Sequence, residues 1–190
     1  LGNVFRELEQ LDSAINCYKK AIEINPQYIE AHYSLGLTFQ DLTQLKDAVK
    51  SYKIVLEIKP DFTGMHNNLG NVYRELGQLN DAISSYKKAI SIKPDFAEAY
   101  YSMGCILQDL GQLNASVKSY EKVIAIKPDF SEAHNNLGTI FTEQGRLGEA
   151  EVSFRQAIVI QPSNAMTHFN LGNTLKNLER IEEAETSYRL

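Results

Sequence analysis

Apolar residues recur along this chain at helical spacing, and the spacing itself repeats in blocks. Within residues 29–62, His32, Leu35, Gly36 and Phe39 fall at i, i+3, i+4 and i+7. After the short link Leu42-Thr43-Gln44-Leu45, Ala48, Tyr52, Val55 and Leu56 fall at i, i+4, i+7 and i+8. Each stripe predicts an amphipathic helix, a first (helix A) and a second (helix B). Pro60 ends the second, because its ring lacks an N–H and disfavours helix in the residue before it.

The same pair is written again and again. Pro26, Pro60, Pro94, Pro128 and Pro162, all five prolines of the sequence, stand 34 residues apart. Gly2, Gly36, Gly70, Gly104, Gly138 and Gly172 keep that interval, as do the small residues Ala14, Ala48, Ala82, Ser116, Ala150 and Ala184. The pattern predicts that the glycine and small-residue ladders face each other, so that helix B approaches helix A closely. The aromatic rungs Tyr18, Tyr52, Tyr86, Tyr120, Phe154 and Tyr188 are expected to fill the space between one pair and the next. Boundary residues suggest capping: Asp95 with Glu98 and Asp129 with Glu132 have capping-box spacing, while Asp12, Asn80 and Asn114 suit the N-cap of helix B. Gly77, Gly111 and Gly145 occupy the A-to-B turn in three units, where Glu9, Thr43 and Glu179 stand in the others. Those three turns are expected to be strained or differently closed.

Leu35-Gly36, Phe39, Ala48, Tyr52 and Pro60 resemble the tetratricopeptide repeat, a helix-turn-helix unit of 34 residues, and the resemblance covers the whole chain. It implies an all-α, right-handed α-solenoid of antiparallel helix pairs in a single array. The units are a partial one at 1–28, full ones at 29–62, 63–96, 97–130 and 131–164, and a partial one at 165–190. The chain opens inside the pattern and is expected to be a cut piece. The tryptophan usual at the fourth place is replaced by His32, His66, Tyr100, His134 and His168. A longer period overlies the first: unit 29–62 matches unit 97–130 at 20 of 34 positions but its neighbour 63–96 at only 16, as if a two-unit block had duplicated.

Composition narrows the function. Of 190 residues, 43% are apolar and 23% charged, which is ordinary for a folded protein. A net charge of −5 argues against sequence-independent binding to DNA or RNA. No apolar run approaches the roughly 18 residues of a membrane-spanning helix, and no targeting segment is seen. The compartment is left open, with the cytoplasm favoured. Cys17 and Cys105 lack the spacing of a disulfide framework or a zinc site, and a reducing compartment fits them. Cys105 is placed opposite the packing stripe, exposed and alkylatable.

No nucleophile elbow, phosphate-binding glycine loop, HExxH helix or carboxylate pair is present, so neither catalysis nor a cofactor is expected within these residues. The histidine ladder has the residue type of a metal site. Equivalent positions of stacked pairs lie on the order of 10 Å apart, too far to share one ion, and Tyr100 in the same column points to packing instead.

The other face of helix A is the candidate surface, since in tetratricopeptide proteins it lines a concave groove for extended peptides. One column reads Ser34, Asn68, Ser102, Asn136, Asn170, and the next reads Asn3, Leu37, Asn71, Cys105, Thr139, Asn173. An asparagine carries both a donor and an acceptor and can pair with peptide backbone whatever its side chains. The row resembles the asparagine ladder in the superhelical arm of O-GlcNAc transferases. Surface asparagines that merely tolerate solvent are the plain alternative. The expected peptide-binding residues are Tyr33, Asn67, Asn68, Asn71, Arg74, Tyr101, Asn135, Asn136, Phe169, Asn170 and Asn173. Arg6, Arg74 and Lys176 face eight acids on these columns: Glu7, Glu30, Asp41, Glu75, Glu98, Asp109, Glu132 and Glu143. The groove should therefore prefer neutral to basic segments, and it lacks the cations that would clamp a C-terminal carboxylate. Three functional readings follow. The leading one is a protein-interaction scaffold without enzymatic activity. The others are the substrate-recruiting arm of a larger transferase whose catalytic domain is absent, and a self-assembling solenoid joined through uncapped ends.

Overall fold

A computed structural model describes residues 1–189, and Leu190 lies outside the described residues. Among the described residues there are twelve helices and no strand, falling into two compact units, Leu1–Pro94 and Asp95–Leu190. The first unit holds α1 (Gly2–Glu7), α2 (Leu11–Ile24), α3 (Ile29–Asp41), α4 (Leu45–Ile58), α5 (Thr63–Glu75) and α6 (Leu79–Ile92). The second holds α7 (Ala97–Asp109), α8 (Leu113–Ile126), α9 (Ser131–Glu143), α10 (Leu147–Ile160), α11 (Ala165–Asn177) and α12 (Ile181–Tyr188). Odd-numbered helices are the predicted A helices and even-numbered ones the B helices. Within each unit a helix packs on its hairpin partner and on the next helix along the chain.

The small ladder is buried as expected: Ala14, Ala48, Ala82, Ser116 and Ala150 are all fully inaccessible. The atoms nearest the glycine ladder are those of the aromatic rung. A Cβ added at Gly70 would lie 2.6 Å from Cε1 of Tyr86, and one at Gly104 would lie 2.8 Å from Cε1 of Tyr120. The same ring-on-glycine contact joins Gly2 to Tyr18, Gly36 to Tyr52, Gly138 to Phe154 and Gly172 to Tyr188. A side chain at each glycine would thus run first into the aromatic rung of its own hairpin, while Ser116 of the small ladder donates to the Gly104 carbonyl at 2.8 Å. The rung also does what the pattern predicted, since fully buried Tyr52 packs with Met65, Leu69 and Val72 of the next pair. In the second unit Tyr120 and Phe154 share one core with Val123, Leu137, Ile140 and Leu171.

The A-to-B turns all close alike. A left-handed residue follows the A helix at Glu9, Thr43, Gly77, Gly111, Gly145 and Glu179, with φ between 57° and 72°. The amide after it bonds back across six residues, as from Gln44 to the Phe39 carbonyl at 2.7 Å and from Gln78 to Tyr73 at 2.8 Å. Closure does not change where glycine is missing, so Glu9, Thr43 and Glu179 carry backbone strain.

The predicted caps are not used. The A helices begin after Tyr28, Phe62, Phe96 and Phe130, with no side-chain cap, and the B helices begin after Gln10, Gln44, Gln78, Gln112, Arg146 and Arg180. The N-cap positions of α7 and α9 fall on Phe96 and Phe130, one residue beyond Asp95 and Asp129, and Phe130 packs against the core of the second unit. The left-handed turn feeds so directly into helix B that Asp12, Asn80 and Asn114 become its second residue. Asp12 there acts through the helix dipole and not as a cap. Among the described residues, only Asn164 caps by side chain, accepting from the Thr167 amide at 3.2 Å.

Glycines of the two kinds should respond oppositely to substitution. Gly70→Ala or Gly104→Ala should lower stability by about 1–3 kcal/mol through overpacking on the ring. Gly148→Ala, with nothing within 4 Å of the new Cβ, should raise it by up to about 1 kcal/mol. Thr43→Gly should gain about 0.5–1 kcal/mol by releasing the left-handed turn. Denaturant titrations of the four variants check these signs.

Candidate functional site

The expected site residues lie on the A helices, but the structure gives them unequal roles. The aromatic residues of the expected site brace the rung: Tyr33 lies 6.2 Å from Tyr52, Tyr101 lies 5.8 Å from Tyr120, and Phe169 lies 5.8 Å from Tyr188, ring centre to ring centre. Tyr101 also packs on Phe130 at 4.9 Å. Phe169 nonetheless stays 54% exposed and Met166 beside it 64% exposed, leaving apolar surface open on α11.

The asparagines are joined to one another and to the rung hydroxyls. Asn136 Nδ2 donates to the Tyr120 hydroxyl at 3.1 Å, and Asn135 Nδ2 to Asn136 Oδ1 at 3.5 Å. Asn135 Oδ1 accepts from Thr167 Oγ1 at 3.2 Å and from Asn170 Nδ2 at 3.4 Å. Four side chains of α9 and α11 therefore form one polar strip. In the second column Tyr86 donates to Asn71 Oδ1 at 2.7 Å, Tyr188 to Asn173 Oδ1 at 2.9 Å, and Tyr18 to Asn3 Oδ1 at 2.7 Å. Asn67 and Asn68 sit half-buried on α5, Asn67 Oδ1 buried without a hydrogen-bond partner, and Arg74 is exposed at the end of that helix. Asn173, Phe169, Lys176 and Tyr188 line a cleft of about 560 Å³.

Sequence reasoning missed the tyrosine hydroxyls, Thr167, and the glutamines Gln40 and Gln108 that serve Tyr52 and Tyr120. A constant spacing of 15 residues in Asn3/Tyr18, Asn71/Tyr86 and Asn173/Tyr188 was the available signal. Cys105 is not the exposed thiol expected. It is half-buried, packs on the second unit's core, and receives the Tyr120 hydroxyl at 3.4 Å.

Electrostatics on this face are partly self-neutralised. Arg6 Nε binds Asp41 Oδ2 at 2.7 Å, and Lys127 pairs with Glu98. The histidine ladder is structural, although His168 also lines the cleft on α11. Nε2 of His32, His66, His134 and His168 meets the carbonyl of Pro26, Pro60, Pro128 and Pro162 at 2.8–3.0 Å, tying each A helix to the turn before it. Burial, reinforced by the neighbouring Cys105, pushes the Tyr101 hydroxyl up to about 12, and burial with the same neighbour raises Tyr120. Burial followed by proximity to Tyr33 raises Tyr52.

Similarity to known proteins completes the picture. A family profile described as TPR repeat matches residues 2–43, 70–111, 104–142 and 138–179, and one described as tetratricopeptide repeat matches 29–62. The chain belongs to the tetratricopeptide repeat family. No curated protein matches it significantly in sequence. Among solved structures, crystalline MamA is 28% identical with a TM-score of 0.81, covering 87% of this chain and 97% of its own. YrrB, described as a TPR protein with an unusual peptide-binding site, is 22% identical with a TM-score of 0.74, covering 90% and 88%. PilF of Pseudomonas aeruginosa, 17% identical with a TM-score of 0.82, covers 98% and 85% and shares the fold. The tetratricopeptide helix pairs make this chain a scaffold for protein interaction, in a family whose repeats are in general non-catalytic.

The tyrosines make a prediction in alkali. Their folded pKa values lie above the ordinary 10.0, so the folded state holds its protons longer than the unfolded one. Stability is full below about pH 10 and is lost as pH rises through the raised values. Tyrosinate absorbance should show a late component that appears together with loss of the helical circular-dichroism signal. All ten tyrosines ionising at the ordinary value with helices intact would contradict it.

Proposed function

We propose that the tetratricopeptide chain holds an extended, neutral to basic peptide segment along the exposed faces of its A helices. The observation that supports this most is the polar strip on α9 and α11. Asn135, Asn136 and Asn170 lie within hydrogen-bonding reach of one another beside exposed Phe169 and Met166. Amides exchange hydrogen bonds with a peptide backbone, and adjoining apolar surface takes up side chains, so the strip tolerates many sequences. Glu132 and Glu143 on α9 and Asp109 on α7 leave acidic charge around it, which favours basic residues by long-range attraction. YrrB, of the same fold, carries a peptide-binding site of its own.

Fluorescence polarisation against a library of labelled extended peptides tests the reading. Neutral and basic members should bind. Asn68→Ala with Asn170→Ala should weaken all of them alike, by about 0.5–1.5 kcal/mol per lost hydrogen bond, with the helical signal unchanged. Charge reversal at Glu75 and Asp109 should alter which peptides bind and flatten the salt dependence. Best binding by acidic peptides, or unchanged binding by the double asparagine variant, would remove the assignment.

A further inference from the structure

The rung hydroxyl and the second asparagine column obey one rule in all six hairpins. Where the column carries asparagine, the tyrosine of the same hairpin donates to its Oδ1: Tyr18 to Asn3, Tyr86 to Asn71, Tyr188 to Asn173, at 2.7–2.9 Å. Where the column carries Leu37 or Cys105, the hydroxyl turns to a glutamine one helical turn on, Gln40 for Tyr52 and Gln108 for Tyr120. Where the rung is Phe154 and offers no hydroxyl, the column carries Thr139, which bonds to its own backbone at the Asn135 carbonyl, 3.1 Å away. Each rung hydroxyl thus meets an acceptor: the column asparagine where there is one, Gln40 beside Leu37, and both Gln108 and the Cys105 sulfur for Tyr120.

An asparagine side chain can present either its carbonyl or its amide to a partner, and a half-turn about its last bond exchanges them. A hydroxyl that donates to Oδ1 from a ring held in place sets which way the amide faces. Tyr86 is fully buried, so its hydroxyl occupies a fixed point under the helix-A face; Tyr188 is 42% exposed, and its ring is held by contact with Gly172 and Phe169. With Oδ1 of Asn71 and Asn173 held inward, the group left for a partner is the Nδ2 amide, which only donates. One turn along the same helices stand exposed Arg74 and Lys176, which also only donate. Asn173 and Lys176 line the same cleft. Both places therefore call for an acceptor oxygen.

We propose that Tyr86 and Tyr188 are positioning residues that orient Asn71 and Asn173 as pure donors, so that each compact unit reads a main-chain carbonyl oxygen of the bound segment at that point. This rests on the peptide reading above. It differs from a row of freely turning asparagines, each of which would pair with an N–H and a C=O together. Tyrosine is then selected at these rungs for its hydroxyl as well as its ring, since Phe154 shows that the ring alone satisfies the packing against glycine.

The test uses the tightest-binding member of the labelled neutral-to-basic peptide library. Tyr86→Phe with Tyr188→Phe should keep the thermal unfolding cooperative yet lower affinity several-fold, as Asn71→Ala with Asn173→Ala does. Combining all four should cost little more than either pair, because the tyrosines act through the asparagines. A thioamide scan of the peptide supplies a second readout. Sulfur is the poorer acceptor and the thioamide N–H the better donor, so substitution at the bonds facing Asn71 and Asn173 should weaken binding to the wild type and matter less in the phenylalanine variants. Binding that is unchanged in the phenylalanine variants, losses that simply add, or thioamides that strengthen binding at those bonds would overturn the inference while leaving the peptide reading standing. If no library member binds, the peptide reading fails and the inference with it.

Discussion

Everything in this chain hangs on an aromatic ring pressed against a glycine. Helices α5 and α6, or α7 and α8, approach so closely at Gly70 and Gly104 that a single methyl group would overlap the ring of Tyr86 or Tyr120. The contact fixes the separation of the two helices. It also carries the ring inward to meet the next pair, as Tyr52 meets Met65 and Val72. Because the ring spans the hairpin, its hydroxyl emerges beside the helix-A face, where the asparagines stand. One residue thereby joins hairpin closure, stacking and the chemistry of the candidate surface.

Around that contact the hairpins repeat with small, local devices. Each turn closes through a left-handed residue whether or not glycine is present, which shows that the ring and alanine contacts outweigh backbone strain of about 1–2 kcal/mol at Glu9, Thr43 and Glu179. The histidine-to-proline-carbonyl bonds do for the start of an A helix what capping side chains do elsewhere, by fixing the turn that leads into it. On the opposite side of the second unit, Arg155 and Arg180 both bridge Glu151 and Glu183, linking α10 to α12 at 2.6–3.1 Å. Such a network is worth more than isolated surface pairs because each carboxylate is shared.

The candidate face on the A helices is consequently less free than its exposed polar residues alone suggest. Asn136 serves Tyr120, while Asn170, in the hairpin after hydroxyl-free Phe154, turns to Asn135 instead. Pre-set hydrogen bonds lower the entropy lost when a segment binds, and they restrict which atoms remain to be offered.

The repeat interval, the helix pairs, the burial of the alanine ladder and the family were all determined by the sequence alone. A 34-residue period makes equivalent positions visible, and hydrophobic spacing within it assigns each to an inner or outer face. Only the tertiary structure decided which residues those positions meet. It set the ring of Tyr52 nearest to Gly36, left Asp95 and Asp129 outside the helices they were expected to cap, and turned Asn71 and Asn173 toward tyrosine hydroxyls. The physical reason is that periodicity records the direction in which a side chain leaves its own helix. Contact partners and hydrogen bonds depend on the distance and rotation of a second helix, and those are set by packing that no single period encodes.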